Sequence, residues 1–321
     1  MKAVYIEQTG GPEVLQFGER PVPAPASGEV LVKLVVSGVN FTDINQRSGI
    51  NKIPVPAVLG SEGAGMVERA GEGVLNFKPG DRVAWAMVRG SYAEYAAVPA
   101  KMLVRIPDAL GFRDAAAAML QGMTAHYLSH STFPLKAGHT ALVHSAAGGT
   151  GRLLVQMAAM LGARVIGTVG TEVKAALARE AGASDTILYD REDWVAEVKR
   201  LTEGKGVDVV YDGVGQTTYL KGFDCLKPRG IMVHYGVSSG PVEPLDTRVL
   251  TMKGSLFLTR PTLATHVLDG ELAWRSGDVL RWITEGKLKL RIDREYPLAE
   301  AAQAHRDLES RKTTGKILLR V

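Results

Sequence analysis

The stretch Thr140-Ala-Leu-Val-His-Ser-Ala-Ala-Gly-Gly-Thr-Gly-Arg-Leu-Leu-Val-Gln-Met-Ala158, continued by Leu161-Gly-Ala-Arg-Val-Ile-Gly-Thr-Val-Gly170, decides how this chain folds. Residues 140–143 are a short, β-prone apolar run. Gly148, Gly149 and Gly151 interrupt it, residues 152–161 resume at helical spacing, and residues 164–169 are again strand-like. The pattern is a βαβ unit. Its glycines mark a turn where backbone comes close to something, since glycine lacks the obstructing Cβ. The dinucleotide fingerprint G-x-G-x-x-G stands here as Ala146-x-Gly148-x-x-Gly151. Between a strand and a helix, such a loop aims backbone N–H groups and a helix N-terminus at a pyrophosphate.

The end of the second strand distinguishes the two nicotinamide dinucleotides. A site for the unphosphorylated form places an acidic residue there, about 20 residues past the glycines, on the ribose 2′-OH. This chain has Gly167-Thr-Val-Gly-Thr171, then Glu172 in the turn and Lys174. A lysine attracts a 2′-phosphate that a carboxylate would repel, so the pattern favours NADP(H).

Outward from this unit, residues 1–123 read as β-rich. Short runs at 3–6, 14–17, 29–36, 63–70, 81–86 and 91–98 are separated by turn residues such as Lys78-Pro-Gly-Asp81, which argues for a partly closed barrel. From Thr124 the pattern alternates strand and helix. Further strands at 185–189, 207–211, 230–235 and 254–258 bring the parallel set to six, the number in a full dinucleotide-binding sheet. After about residue 265 come a helix (277–285), a strand (288–293), a helix (298–310) and a last strand (316–321), expected to rejoin the first part. The expected fold class is therefore α/β. A doubly wound parallel domain spans 124–264, and a β-rich domain combines 1–123 with 265–321.

With 321 residues, 45% hydrophobic and 22% charged, the chain has the make-up of a two-domain globular protein. Its net charge of +4 comes from 38 basic and 34 acidic residues scattered without a basic block. That pattern argues against nucleic acid and suits an anionic cofactor. The single cysteine, Cys225, excludes an internal disulfide and points to a reducing compartment. Met1-Lys-Ala-Val-Tyr-Ile-Glu-Gln8 lacks the apolar core of a signal peptide, and no uninterrupted apolar run is long enough to span a bilayer. A cytoplasmic protein is expected.

Seven motifs in order along the chain carry a family resemblance. They are Ser37-Gly-Val-Asn-Phe-Thr-Asp43, Leu59-Gly-Ser-Glu-Gly-Ala-Gly65, Lys78-Pro-Gly-Asp-Arg-Val83, His144-Ser-Ala-Ala-Gly-Gly-Thr-Gly151, Gly167-Thr-Val-Gly170, Tyr211-Asp-Gly-Val-Gly215 and Leu308-Glu-Ser-Arg-Lys-Thr-Thr-Gly-Lys316. Over essentially its whole length the chain resembles the medium-chain dehydrogenases/reductases, in particular their zinc-free, zeta-crystallin-like quinone oxidoreductase branch. The resemblance implies a cofactor held between a barrel and a parallel sheet, and a homodimer joined through strands near 255–258. Zinc members of the superfamily carry a cysteine, a Gly-His-Glu and a second cysteine, where this chain has Asn40, Gly60-Ser61-Glu62 and no further cysteine in the first part. No metal is expected; Glu62 reads as the remnant of a lost site or a turn cap, and Asp43 as structural.

Without a Lewis acid, a simple alcohol is a poor substrate, whereas a quinone or enone spreads the incoming charge over a conjugated system. The implied activity is NADPH-dependent reduction of a quinone. One alternative is reduction of an enone or enal; another, of a different class, is a crystallin-like structural or RNA-binding protein that keeps the cofactor fold. Asn40 and Asn45 are the candidate donors to an acceptor oxygen, and Asn40 serves equally as a cofactor or turn residue. Asn45 stands where family members commonly have tyrosine. By resemblance, Gly148, Gly149, Thr150 and Gly151 take the diphosphate. Gly170, Lys174, Tyr189 and Arg311 take the 2′-phosphate. Asn40, Thr124, Val214, Tyr235, Gly236, Ser238, Phe257, Leu258 and Thr259 line the nicotinamide side. Taken singly, Phe257 and Leu258 read as core strand residues rather than cofactor contacts.

Overall fold

Short runs of β-branched and aliphatic residues, each closed by glycine or proline, become the strands of the computed structural model, which describes all residues from Met1 to Val321. The chain divides into two units, Met1–Leu120 with Val267–Val321, and Gln121–His266.

The first unit begins with β1 (Lys2–Ile6), β2 (Gln16–Glu19) and β3 (Glu29–Val39), then α1 (Phe41–Ser48). β4 (Ala57–Val58), β5 (Glu62–Ala70), β6 (Arg82–Ala86), β7 (Tyr95–Pro99) and β8 (Val104–Arg105) follow, then α2 (Phe112–Tyr127), which passes from the first unit into the second after Leu120. The second unit runs through β9 (Thr140–His144), α3 (Gly149–Met160), β10 (Arg164–Val169), α4 (Glu172–Glu180), β11 (Asp185–Leu188) and α5 (Trp194–Leu201). It closes with β12 (Val207–Asp212), α6 (Tyr219–Gly222), β13 (Leu226–His234), α7 (Arg248–Met252) and β14 (Phe257–Thr259). The chain then returns to the first unit with α8 (Glu271–Thr284), β15 (Ile292–Pro297), α9 (Ala301–Glu309) and β16 (Lys316–Arg320).

In the second unit, six parallel strands lie in the order β11-β10-β9-β12-β13-β14. Two βαβ halves wind outward from β9 and β12, the arrangement that leaves loops free at the carboxyl ends of the central strands. The strands read as continuous apolar runs because both faces are covered. Leu142, Ile166, Val210, Phe223 and Met232 belong to one buried cluster. β14 is the exception: it is short and terminal, and Phe257 and Leu258 are 59% and 38% exposed, so neither is the core residue its strand pattern suggested.

In the first unit, β3 is the organising strand. It pairs antiparallel with β5, β7 and β16, within a sheet ordered β15-β16-β3-β5-β6-β8. The barrel core gathers Val30, Val32, Leu34, Val67, Val83, Trp85 and Val98. The last strand, β16, enters directly beside β3, so the C-terminal segment completes this sheet.

Two helices lie in the part read as purely β-rich. α1 is announced only by a capping box, in which the Asn40 N–H donates to Asp43 Oδ2 at 2.9 Å. In α2, Ala115, Ala116, Ala117 and Ala118 are all essentially buried, so no polar stripe marks it as a helix. The strand expected at 14–17 starts only at Gln16, because Pro12–Val14 forms a 3₁₀ turn. Phe223 is 1% exposed within the sheet's cluster. Phe223→Ala should lower stability by about 3–5 kcal/mol, read as a shifted urea midpoint; a shift under roughly 1 kcal/mol would show that the cluster collapses around the void.

Candidate active site

Ser145 follows β9 in a left-handed conformation, φ 55°. Its carbonyl oxygen accepts the Gly148 N–H at 2.9 Å and closes the turn. A Cβ on Gly151 would fall inside van der Waals contact with that same oxygen and 3.0 Å from its carbonyl carbon, so α3 can approach only with glycine here. At Gly149 a Cβ would meet instead the movable end of the Gln121 side chain. Ala146, in place of the first fingerprint glycine, is tolerated because Gly167 on the neighbouring strand lacks a side chain: a Cβ there would be 2.7 Å from the Ala146 methyl. Gly148 caps α3 without a side-chain hydrogen bond, so the helix end keeps N–H groups for an anion. A dinucleotide diphosphate fits this cradle.

The neighbouring strand ends build onto it. Asp212, fully buried at the end of β12, accepts from the N–H groups of Val214 (2.7 Å) and Gly215 (3.0 Å) and from Thr218 Oγ1 (2.9 Å). It thus holds the Val214 loop in an Asx-type turn. The Ser239 hydroxyl and N–H both donate to the Val214 carbonyl at 2.8 Å, and the Ser238 N–H donates to the Gly213 carbonyl at 3.2 Å. Gly213 and Gly236 touch backbone to backbone, for a Cβ on Gly236 would lie 2.7 Å from the Gly213 oxygen. His144, at the end of β9, places Nδ1 2.8 Å from Thr168 Oγ1, and burial holds its pKa below the ordinary value against the pull of Asp212. Asp212 and His144 carried no assigned role in the sequence. An Asp two and three residues ahead of bonded N–H groups in Asp-Gly-Val-Gly was the available signal for the first.

Gly170 lies just past β10, and a Cβ on it would be 3.4 Å from the Tyr189 hydroxyl and 3.1 Å from the Asp190 carboxylate. Lys174 occupies the first turn of α4, where its N–H donates to the Thr171 cap at 3.3 Å. Gly170, Lys174 and Tyr189 therefore share the carboxyl-end edge of β10 and β11, with Asp190 an acidic neighbour not foreseen. Thr124 is buried on α2, and Tyr235, Gly236 and Ser238 follow β13. Arg311 belongs to the first unit, just after α9, at φ 56°.

Asn40 and Asn45 also lie in the first unit. Glu62 is fully buried; one carboxylate oxygen accepts the Leu120 N–H at 2.5 Å, and the other accepts from Asn40 Nδ2 at 2.9 Å and from the Lys316 ammonium. Lys316 also donates to Asn40 Oδ1 at 2.7 Å, and Asn40 Nδ2 donates to the Gly38 carbonyl at 3.4 Å. With both amide hydrogens committed inward, Asn40 in this arrangement positions α1 and has no donor left for a substrate oxygen. Asn45, half-buried on α1, makes no side-chain hydrogen bond within the protein. Beside the cluster, burial pushes the Asp43 carboxyl up to about 6, against the pull of Ser61, the Asn40 N–H and Lys316. Tyr92 donates to Asp43 Oδ2 at 3.2 Å and lies 3.0 Å from His305 Nε2; Arg47, 3.3 Å from His305 Nδ1, forms a bidentate pair with Glu309.

Residues 26–108 match the alcohol dehydrogenase GroES-like domain, and residues 149–269 the zinc-binding dehydrogenase domain. A quinone oxidoreductase of Pseudomonas aeruginosa is 43% identical, with 99% of each chain covered. The quinone oxidoreductase of Escherichia coli, solved in complex with NADPH, superposes with a TM-score of 0.98 at 41% identity over 100% of both chains. The chain belongs to the quinone oxidoreductase family of the medium-chain dehydrogenases/reductases. A 2-haloacrylate reductase of Burkholderia sp. is similar at 40% identity, covering 99% of this chain and 98% of its own.

The second domain's description raises the question of zinc, and the residues of this family member do not fit it. No three His, Cys, Asp or Glu side chains gather in metal-binding geometry. Cys225 is buried in the sheet core of the other unit, and a lysine ammonium sits against Glu62 and Asn40. Zinc sites are built from thiolate, imidazole and carboxylate donors, whereas the side chains bonded to Glu62 are an amide and an ammonium.

The glycine contacts set an order of damage. Gly151→Ala should weaken NADPH binding at least about tenfold, because the clash is with a backbone carbonyl, whereas Gly149→Ala displaces only the end of Gln121 and should cost less than about threefold. Fluorescence titration of both variants measures this; equal losses would mean that α3 shifts freely and the cradle is not set by Ser145.

Proposed function

We propose that the protein is an NADPH-dependent quinone reductase that works without zinc. The observation that carries the reading is the β9–α3 cradle, in which Gly148 leaves a helix end uncapped by side chains and Gly151 lets it approach the Ser145 carbonyl. The reading draws support from full-length similarity to a quinone oxidoreductase solved with NADPH. When bound, NADPH supplies the hydride and carries the 2′-phosphate. Gly148, Gly149, Thr150 and Gly151 bind its diphosphate, Lys174, Tyr189 and Arg311 its 2′-phosphate, and the Asp212-anchored Val214 loop with Tyr235, Gly236 and Ser238 the nicotinamide side. Asn45, an amide of the first unit, has donors to spare for an acceptor oxygen. A conjugated acceptor disperses the negative charge it gains, which lowers the demand on the site for electrophilic help.

Reduction of an activated alkene is the second reading, favoured by the similarity to a 2-haloacrylate reductase. Both acceptors delocalise the incoming charge, so they ask for nearly the same site. The exposed edge strand β14, with Phe257 and Leu258 at its surface, supports a homodimer seam on this strand. No helix is long and apolar enough to cross a membrane.

Purified, chelator-treated protein should oxidise NADPH far faster than NADH with 1,4-benzoquinone as acceptor. Turnover with a 2-haloacrylate or an enone but not with the quinone would move the assignment to alkene reduction. In the same assay, replacing Lys174 and Arg311 together with alanine should reduce the preference for NADPH by roughly 10- to 100-fold, the worth of one or two charge-assisted hydrogen bonds. The melting temperature should stay unchanged. Equal losses for both cofactors would contradict the 2′-phosphate assignment.

A further inference from the structure

Four adjacent strands of the second unit carry a row of polar side chains at their carboxyl ends, at the base of the Val214 and Tyr235 loops. Thr168 on β10 pairs with His144 on β9, and Asp212 on β12 pairs with His234 on β13; Asp212 and His144 directly follow the Tyr211–Val143 pair. All four residues are buried. Two positions earlier on the same strands stand Ile166, Leu142, Val210 and Met232, members of the sheet's apolar cluster. Side chains two apart share one sheet face, so the polar row closes off an apolar layer. Trp194 on α5 meets His144 edge-on, with ring centroids 4.9 Å apart, and Tyr219 on α6 lies against His234 at the same distance. Bonding within the row is incomplete. Asp212 Oδ1 accepts from the Val214 and Gly215 N–H groups and from Thr218 Oγ1, while Oδ2 faces His234 Nδ1 across 4.0 Å. Asp212 Oδ2, His144 Nε2 and both nitrogens of His234 have no hydrogen-bond partner within the protein. These side chains do not gather in metal-binding geometry. A buried carboxylate carries a cost that an opposite charge offsets, and the facing imidazole can supply that charge by taking up one proton.

We propose that Asp212 and His234 form a proton-gated charge pair that sets how the site weighs the oxidised against the reduced cofactor. The inference rests on the reading that the Val214 loop, Tyr235 and Gly236 border the nicotinamide. The oxidised nicotinamide ring carries a positive charge that the reduced ring lacks. With His234 neutral, the Asp212 carboxylate attracts that charge; with His234 protonated, the imidazolium cancels the attraction. By linkage, binding of the oxidised cofactor opposes protonation of His234 to the same extent. The surroundings of His234 place the change on the acid side of neutrality. Burial disfavours the imidazolium, Asp212 favours it and Arg260, just past β14, opposes it, which leaves the pKa below the ordinary imidazole value. The neighbouring groups do not share the proton. Burial pushes the Tyr219 and Tyr235 phenols up and holds the His144 imidazole down, so all three stay neutral as His234 titrates.

The test is calorimetric binding of NADP+ and NADPH to wild type, His234→Phe and Asp212→Asn, from about pH 8 to about pH 5.5. The 2′-phosphate also titrates there, at a pKa of about 6, but both cofactors carry it, so the ratio of the two dissociation constants is free of it. In wild type the ratio should move against NADP+ by on the order of fivefold as the pH falls below the ordinary imidazole value. His234→Phe should keep the high-pH ratio throughout, because its carboxylate is never compensated. Asp212→Asn should keep the low-pH ratio throughout, because it has no charge to cancel. In proton NMR, the His234 imidazole signal, identified by its absence from His234→Phe, should titrate in the cofactor-free protein. NADP+ should move that midpoint to lower pH, and NADPH should leave it nearly in place. A flat wild-type ratio would overturn the proposal, as would a pH dependence that survives in His234→Phe. Should His234→Phe fail to fold, His234→Gln takes its place in both measurements, and a wild-type midpoint moved equally by the two cofactors would overturn the proposal by itself. Failure of wild type to bind either cofactor at any pH would bring down the cofactor reading together with this inference, whereas binding with a flat ratio removes this inference alone.

Discussion

The carbonyl oxygen of Ser145 constrains the second unit more than any side chain does. It accepts the Gly148 N–H and forms the floor on which Gly151 rests, so it sets at once the turn after β9 and the approach of α3. Ser145 reaches this position in a left-handed conformation, which a non-glycine residue adopts at a cost of about 1 kcal/mol or more. What offsets that cost is the packing of α3 on the sheet, where Leu153, Leu154, Val155 and Met157 are buried. Its result is a helix N-terminus aimed outward beside β10 with its backbone unblocked. The Asp212 turn after β12 repeats the principle with a side chain: one carboxylate oxygen holds three donors, and glycines at 213 and 236 let two loops close on each other.

The first unit is governed by buried charge. Removing a carboxylate and an ammonium from water costs several kcal/mol per ion, and the Glu62–Lys316 pair is retained with every available partner engaged. A second buried cation, Arg47, is handled the same way, with a bidentate contact to Glu309 and contacts to Gly10 and His305. His305 answers by remaining neutral: burial, reinforced by Arg47, pulls its pKa down to about 3. It can therefore sit between a cation and the Tyr92 hydroxyl without adding charge. These polar clusters tie α1, β5, α9 and β16 into one body, which hydrophobic contacts, being non-directional, would join less selectively.

The parallel sheet and its glycine loop were legible in the chain because they rest on local signals. Apolar runs such as 140–143, closed by glycines at fixed offsets, need no distant partner to be recognised. Turn chemistry was local too, as in Lys78-Pro-Gly-Asp81. The signals failed where an element is apolar all round or shorter than its period. α2 hides behind consecutive buried alanines, and α1 declares itself only through Asn40 and Asp43. Phe257 and Leu258 carry a core-like pattern, and only their place at the end of the strand order leaves them exposed.

Sequence alone carried the family resemblance, through motifs along the whole chain, and the strand–glycine turn–helix unit at 140–161, which follows from spacing within a few tens of residues. Only the tertiary structure decided what Asn40, Glu62 and Lys316 do. Residues 40 and 316 lie at opposite ends of the chain, and nothing in their local sequence says that β16 will pair with β3. A hydrogen bond is set by position in space and a local pattern records only position along the chain. The Asn40 amide, which the sequence left equally open as an acceptor donor or as a cofactor or turn residue, is bonded in the folded protein to a lysine and a glutamate.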